Sequence, residues 1–208
     1  MHLWYAAFGS NLSRDRFLIY LQGGVPPHSP NPAPQPGARD RTPPTAEWVG
    51  EVEAELYFAT SSQRWGGGGV AFLEVDPSRF TRSRPVARIR AYRLSLSQLE
   101  DVYGQENGVE ARPAIDVDVL VHHGHLDLLP RRYGRLAVVG FHDGAPLVTI
   151  TSSEQQEVNS PSFAYARTIV AGLTEAFGLS VDEAVQYLID SGVDEEAAFK
   201  FAARLREN

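Results

Sequence analysis

The chain of 208 residues contains no cysteine. That excludes a disulfide framework, a thiolate nucleophile, and zinc or iron–sulfur sites built on Cys. Positive charge is also scarce: 19 Lys and Arg against 26 Asp and Glu give a formal net charge of −7. Nucleic-acid phosphates and anionic membranes both ask for clustered cations, so neither partner is expected. No apolar run approaches the ~20 residues of a membrane span. The opening Met1-His2-Leu3-Trp4-Tyr5 has no basic stretch followed by an apolar one, so no signal peptide is expected and the cytoplasm is the expected compartment. There is no internal repeat, no alternating βαβα rhythm and no dinucleotide-binding glycine fingerprint.

What is present suits a soluble globular protein. Hydrophobic residues make up 43% and charged residues 22%, enough for one good-sized core or one domain with an appendage. Leu3–Ala7 reads as a buried strand that stops at Gly9. A tight turn, Phe8-Gly9-Ser10-Asn11, leads to a helix over Ser13–Leu21 with Asn11 or Ser13 as its cap. Prolines crowd residues 23–44, which predicts an extended irregular loop, either a surface insertion or a lid. Trp48–Ala59, Val70–Val75 and Val86–Leu94 read as strands, and Ser97–Tyr103 as a short helix capped by Ser97 with Glu100. Ile115–Val121 alternates aspartate with aliphatic residues, the pattern of a strand with one wet face. Arg135–Phe141 and Leu147–Thr151 flank His142-Asp143-Gly144, a hairpin signal. Helices are expected over Ser162–Phe177, Ser180–Ser191 and Asp194–Leu205. The sum is an α+β fold: a mixed, mostly antiparallel sheet closed into a small barrel, with flanking helices and a helical C-terminal extension over 179–208.

Two segments carry candidate chemistry. A strand running through a Gly turn into a helix gathers backbone N–H groups at the positive end of the helix dipole. The turn at Gly9, Ser10, Asn11 and Leu12 is therefore either an anion cradle or an ordinary capped strand-to-helix turn. Glu106, between Gly104 and Gly108, is either a loop carboxylate serving as a general base or a solvated surface acid.

Both segments are arranged as in one family. Tyr5-Ala6-Ala7-Phe8-Gly9-Ser10-Asn11-Leu12 resembles the Tyr-Gly-Ser-Asn-Leu signature of the γ-glutamyl cyclotransferases. Gly50–Thr60 followed by Trp65-Gly66-Gly67-Gly68-Gly69-Val70-Ala71 is similar to that family's strand, Trp-x-Gly-Gly loop and next strand. Leu99 through Glu106 resembles its helix and catalytic Glu, and Pro161-Ser162-Phe163-Ala164-Tyr165 its late Pro-Ser-x-x-Tyr helix. The landmarks run in family order over residues 1–178. Phe8 stands where the family has Tyr, and Asn107 is an extra residue before Gly108.

The resemblance implies cyclisation of a γ-glutamyl compound to 5-oxoproline with release of an amine or amino acid. Glu106 would be the general acid/base. Phe8, Gly9, Ser10, Asn11 and Leu12 would bind the substrate, with its α-carboxylate on the turn amides. Tyr165 would hydrogen-bond the substrate or Glu106, or else be a packed helix residue. No cofactor is implied, because the substrate's own α-amine is the nucleophile. The leaving group remains open among glutathione, γ-glutamyl amino acids, γ-glutamyl amines and secondary metabolites. Two alternatives are a non-catalytic binding or regulatory module on the same fold, and a related amide-cleaving enzyme acting on an acylated metabolite.

Other clusters are weaker. On a strand, His123 and His125 would share a side while His122 would not, and two ligands without a third do not make a metal site. Arg131, Arg132 and Arg135 read as a solvated basic cluster. Trp65 with its glycines is either a flap or a cap on the core. The tail from Ser180 to Asn208 could pack on its own domain or on a second subunit of a homodimer.

Overall fold

A computed structural model describes residues 2–26, 29–31, 33–110 and 112–207. In chain order the elements are β1 (His2–Ala7), α1 (Arg14–Gln22), β2 (Glu47–Glu53), β3 (Glu55–Ala59), β4 (Val70–Glu74), β5 (Val86–Ser95), α2 (Leu96–Glu106), α3 (Val117–His123), β6 (His125–Asp127), β7 (Arg135–His142), β8 (Ala145–Thr151), α4 (Phe163–Phe177), α5 (Val181–Asp190) and α6 (Glu195–Arg206). Six strands form one sheet in the order β2-β5-β1-β8-β7-β6. Only β1 and β8 run parallel, with Trp4 beside Leu147 and Tyr5 beside Val148. The α+β class and the mixed, mostly antiparallel sheet follow the sequence expectation.

The expected closed barrel does not form. The run read as one strand over Trp48–Ala59 breaks at Ala54, so β3 leaves the main sheet and pairs with β4 in a separate two-stranded sheet. The main sheet keeps β2 and β6 as edges among the described residues.

Strand β1 sits at the centre of that sheet, which explains why it is apolar without interruption. Side chains alternate across a strand. Leu3, Tyr5 and Ala7 enter one core with α1, α2 and α3; Trp4 and Ala6, followed by Phe8, enter the other with the small sheet and α4–α6. Both faces are covered, so no polar side is needed. Ala184, Val185, Leu188 and Phe201 bring α5 and α6 into the same core as α4, so the tail packs on its own chain.

Two local expectations are overturned. Val117–His123 is a helix and not a strand, because the Asp116 carboxylate accepts from the Val119 amide (3.0 Å) and caps it, and Leu120 alone is buried. Helix α2 starts earlier and runs longer than expected. Its capping box is Ser95 with Gln98, each side chain accepting from the other's amide (3.2 and 3.1 Å), and not Ser97 with Glu100. Glu106 is thus the last residue of a helix, with Asn107 as C-cap and Gly108 in the left-handed region at φ 61°. The hairpin at Asp143-Gly144 has both residues at positive φ, 48° and 71°, as its sequence predicts.

The turn after β1 is clamped from below. It forms one 3₁₀ turn, in which the Leu12 amide donates to the Gly9 carbonyl (3.0 Å). From β5, the Tyr92 hydroxyl donates to the Asn11 carbonyl (2.9 Å) and Arg90 to the Leu12 carbonyl (3.2 Å). Arg90 is itself fixed by Glu47 (2.7 Å) and Glu175 (2.7 Å). From α4, Gly172 lies so close that a Cβ there would stand 2.5 Å from the Ser13 nitrogen and 2.6 Å from the Leu12 carbonyl carbon.

Gly172→Ala should therefore force α4 off the turn and cost about 1–3 kcal/mol, read as a lowered denaturation midpoint. An unchanged midpoint would show that the contact yields freely. Burial alone would push the Glu47 carboxyl up, but bonds from Arg14 and Arg90 outweigh it and hold the group below its ordinary value. A depressed folded value means that this contribution is complete above the unfolded carboxylate range and is lost as pH falls. Glu47→Gln should melt below the wild type at pH 7, with the deficit shrinking toward pH 3. A constant deficit across that range would contradict the ion pairing.

Candidate functional site

The turn, the end of α2 and the start of α4 border one cleft of about 670 Å³. That volume lies in the ~300–1,000 Å³ range of small-molecule sites. Phe8, Gly9, Ser10, Asn11, Glu106 and Tyr165 all line it, so two segments nearly 100 residues apart meet. Leu12 does not line it: its side chain is in the core and its amide is spent on Gly9. The Ser10 amide in turn faces the Tyr165 hydroxyl.

Glu106 is half-buried and anchored. Asn11 Nδ2 donates to Glu106 Oε1 (3.0 Å) and also reaches the Tyr5 hydroxyl (3.1 Å). The Tyr20 hydroxyl lies against the same carboxylate. The extra residue Asn107 has a structural task. Its side chain donates to the Tyr103 carbonyl (3.0 Å) and the Tyr133 carbonyl (2.9 Å), which ties the helix end to the loop before β7. Gln105 donates to the Tyr20 carbonyl (2.8 Å) and binds α2 to α1.

Tyr165 is buried and does not bond Glu106. Its hydroxyl accepts from the Ala71 amide (3.1 Å) at the start of β4, and the Ser10 amide also approaches it. Trp65 is buried against Tyr165 with ring centroids 5.0 Å apart, so it acts as part of the core wall. Tyr133 donates to the Ala71 carbonyl (2.9 Å) and closes the opposite side. Burial raises the Tyr165 hydroxyl to about 12 and pushes Tyr5, Tyr20 and Tyr133 well up, with the Glu106 charge adding to each rise. All four hydroxyls therefore stay protonated around one carboxylate at neutral pH.

The sequence marks Arg131 and Arg132 as a basic cluster but gives no sign that cations gather at the cleft. Arg16, Arg64, Arg131 and Arg132 line it, and Glu106 is the single acid among the described residues that do. None of these arginines makes an ion pair among the described residues, although Arg14, Arg39, Arg82, Arg90, Arg112 and Arg135 do. Arg131 and Arg132 are exposed, as read from the sequence, yet they stand at the mouth of the site. The signal that could have found Arg16 is its spacing of four from Tyr20 on α1, which puts both on one helix face.

The histidines do not converge. His122 and His123 end α3, with rings 4.8 Å apart and edge-on, and His125 begins β6 after Gly124 turns the chain at φ 76°. Among the described residues no group of three or more His, Asp or Glu is placed to share a metal ion. Among them, too, no helix is long and apolar enough to cross a membrane.

Comparison with known proteins gives a fold. No family model matches the sequence. A sequence relative is Histone deacetylase 5 of Arabidopsis thaliana, 32% identical over 204 residues. The match takes in 89% of this chain but only 30% of that protein's length. Among solved structures, a γ-glutamyl cyclotransferase superposes with a TM-score of 0.52 at 17% identity, covering 98% of this chain and 99% of the other. An uncharacterized human protein superposes with a TM-score of 0.51 at 18% identity, covering 96% and 98%. The order of landmarks, the open mixed sheet and the end-to-end superposition agree: the chain has the γ-glutamyl cyclotransferase-like fold.

Proposed function

We propose that the protein is a cyclotransferase, converting a γ-glutamyl compound to 5-oxoproline with release of an amine or amino acid. The observation that supports this best is the 3.0 Å bond from Asn11 to Glu106, which joins the turn to the one acid of the cleft. In the reaction the substrate's α-nitrogen attacks the γ-carbonyl carbon. A C–N bond forms within a five-membered ring, and the original amide C–N bond breaks. Glu106 takes the proton that the attacking nitrogen loses and returns it to the departing nitrogen, so no net proton is consumed. The protein supplies no nucleophile, and much of the rate comes from holding amine and carbonyl in the ring-closing geometry. The polar hydroxyls and amides around the cleft suit that task, and the core wall of Phe8, Trp65 and Tyr165 limits the substrate's freedom.

A second reading is a binding module that no longer turns substrate over. Two observations favour it. Phe8 brings no hydroxyl to the cleft, and the matched relative is a much larger protein in which the similar segment is 30% of the length. Stabilisation by 5-oxoproline or γ-glutamyl amines, with no product over hours, would select it.

Glu106→Gln should still accept from Asn11 and so keep the fold, while 5-oxoproline release falls by a factor of about 10²–10⁴. Release at the parental rate would refute the assignment of Glu106. Tyr165→Phe leaves the buried Ala71 amide without its acceptor and should cost about 1–3 kcal/mol of stability, measured by denaturant titration, with turnover retained. Loss of turnover at unchanged stability would move Tyr165 from the wall into the reaction.

A further inference from the structure

Arg16 is 2% exposed, yet its Nε and Nη1 have no acceptor. Its one hydrogen bond runs from Nη2 to the Tyr20 hydroxyl (3.1 Å), and the guanidinium also lies 4.6 Å from the centre of that ring. This is not how the protein treats other buried ionic groups. Arg90, comparably enclosed, is bonded to Glu47, Glu175 and the Leu12 carbonyl. Asp101, fully buried, is met by both Arg39 and Arg112. The charge of Glu106 acts on Arg16 without forming an ion pair, and leaving buried guanidinium N–H groups without acceptors is strongly unfavourable. It is tolerated where a ligand completes them, and Arg16 lines the cleft.

The second orphan is an acceptor. Asn11 Oδ1 is buried without a donor, while the nitrogen of the same amide is fully used by Tyr5 and Glu106. The Tyr20 hydroxyl touches Arg16 on one side and Glu106 on the other, so the orphan cation sits one hydroxyl away from the acid that Asn11 holds. A cation wanting an anion and an acceptor beside a carboxylate wanting N–H donors match the two halves of an α-amino-acid head group.

The geometry assigns Arg16 as a binding residue whose guanidinium supplies the positive charge for the ligand's α-carboxylate, while Asn11 Oδ1 and Glu106 receive its α-amine. The turn amides then add hydrogen bonds to a carboxylate that Arg16 neutralises. The inference rests on the cyclotransferase reading for the ligand's identity, and not for the existence of the anion site.

The test is calorimetric titration of the wild-type protein with 5-oxoproline and with its uncharged amide, 5-oxoprolinamide. Wild type should bind the carboxylate at least tenfold more tightly. Arg16→Gln should bind the two alike, and Glu106→Gln should keep the preference. If Arg16→Gln fails to fold, the Nε resonance of Arg16 in the wild type takes its place; it should shift on adding 5-oxoproline and stay still with the amide. Equal binding of the two compounds by wild type, a preference that survives in Arg16→Gln, or an unmoved Arg16 resonance would overturn the assignment. If no γ-glutamyl compound is cyclised but the Arg16-dependent preference remains, the anion site stands and only the reaction falls.

Discussion

The site depends on the clamp beneath the Gly9–Leu12 turn. Tyr92 and Arg90 reach up from β5 to the Asn11 and Leu12 carbonyls, and Gly172 lets α4 press against the backbone next to them. A short 3₁₀ turn has little cooperativity of its own, so its shape comes from these neighbours. With its main chain fixed, Asn11 can hold its side chain at the one position from which Tyr5 and Glu106 are both in reach. Strand β1, buried on both faces, carries the turn to that place. Helix α2, closed by Asn107 and Gly108, delivers the carboxylate from the other direction.

The distribution of charge is as telling as the geometry. Away from the cleft, buried carboxylates and guanidinium groups are paired: Glu55 with Arg82 and the Thr81 amide, Asp101 with two arginines, Arg90 with two glutamates. Inside the cleft the rule is suspended, and an overall acidic protein presents several unpaired arginines around one acid. Local composition there opposes the net charge of the chain, so the whole-chain charge says nothing of the cleft.

Much of the fold was legible in the sequence where one physical signal dominated. The uninterrupted apolar run of β1, the Asp143-Gly144 hairpin and the Ser180–Glu183 capping box each translate directly into structure. Legibility failed where two signals competed. Asp116-Val117-Asp118-Val119 alternates like a strand, but the Asp116 cap decides for helix. Ser95 and Ser97 both offer a cap, and only the backbone of β5 decides between them. The open sheet is not legible in the sequence, because nothing local at Ala54 announces that β3 departs. At the site, Glu106 and the turn stood out through their resemblance to a family pattern. Arg16 did not, because an arginine beside Phe17 on a helix looks like solvent-facing charge until α1 is packed.

The Pro-rich stretch illustrates how this fold can accept new length. Gly24 and Gln35 bridge across its base, the Ala38 amide donates to the Leu21 carbonyl (2.9 Å), and Arg39 is fastened to Asp101 in the middle of α2. Ser29 and Asn31 meanwhile rest on the Gln63–Trp65 turn, at the rim of the cleft. A stretch stapled at its base can grow or shrink between its staples in related proteins without shifting the helix that carries Glu106. Such changes would remodel the doorway while the Asn11–Glu106 contact stays put, so the rim and the floor of the cleft can vary independently.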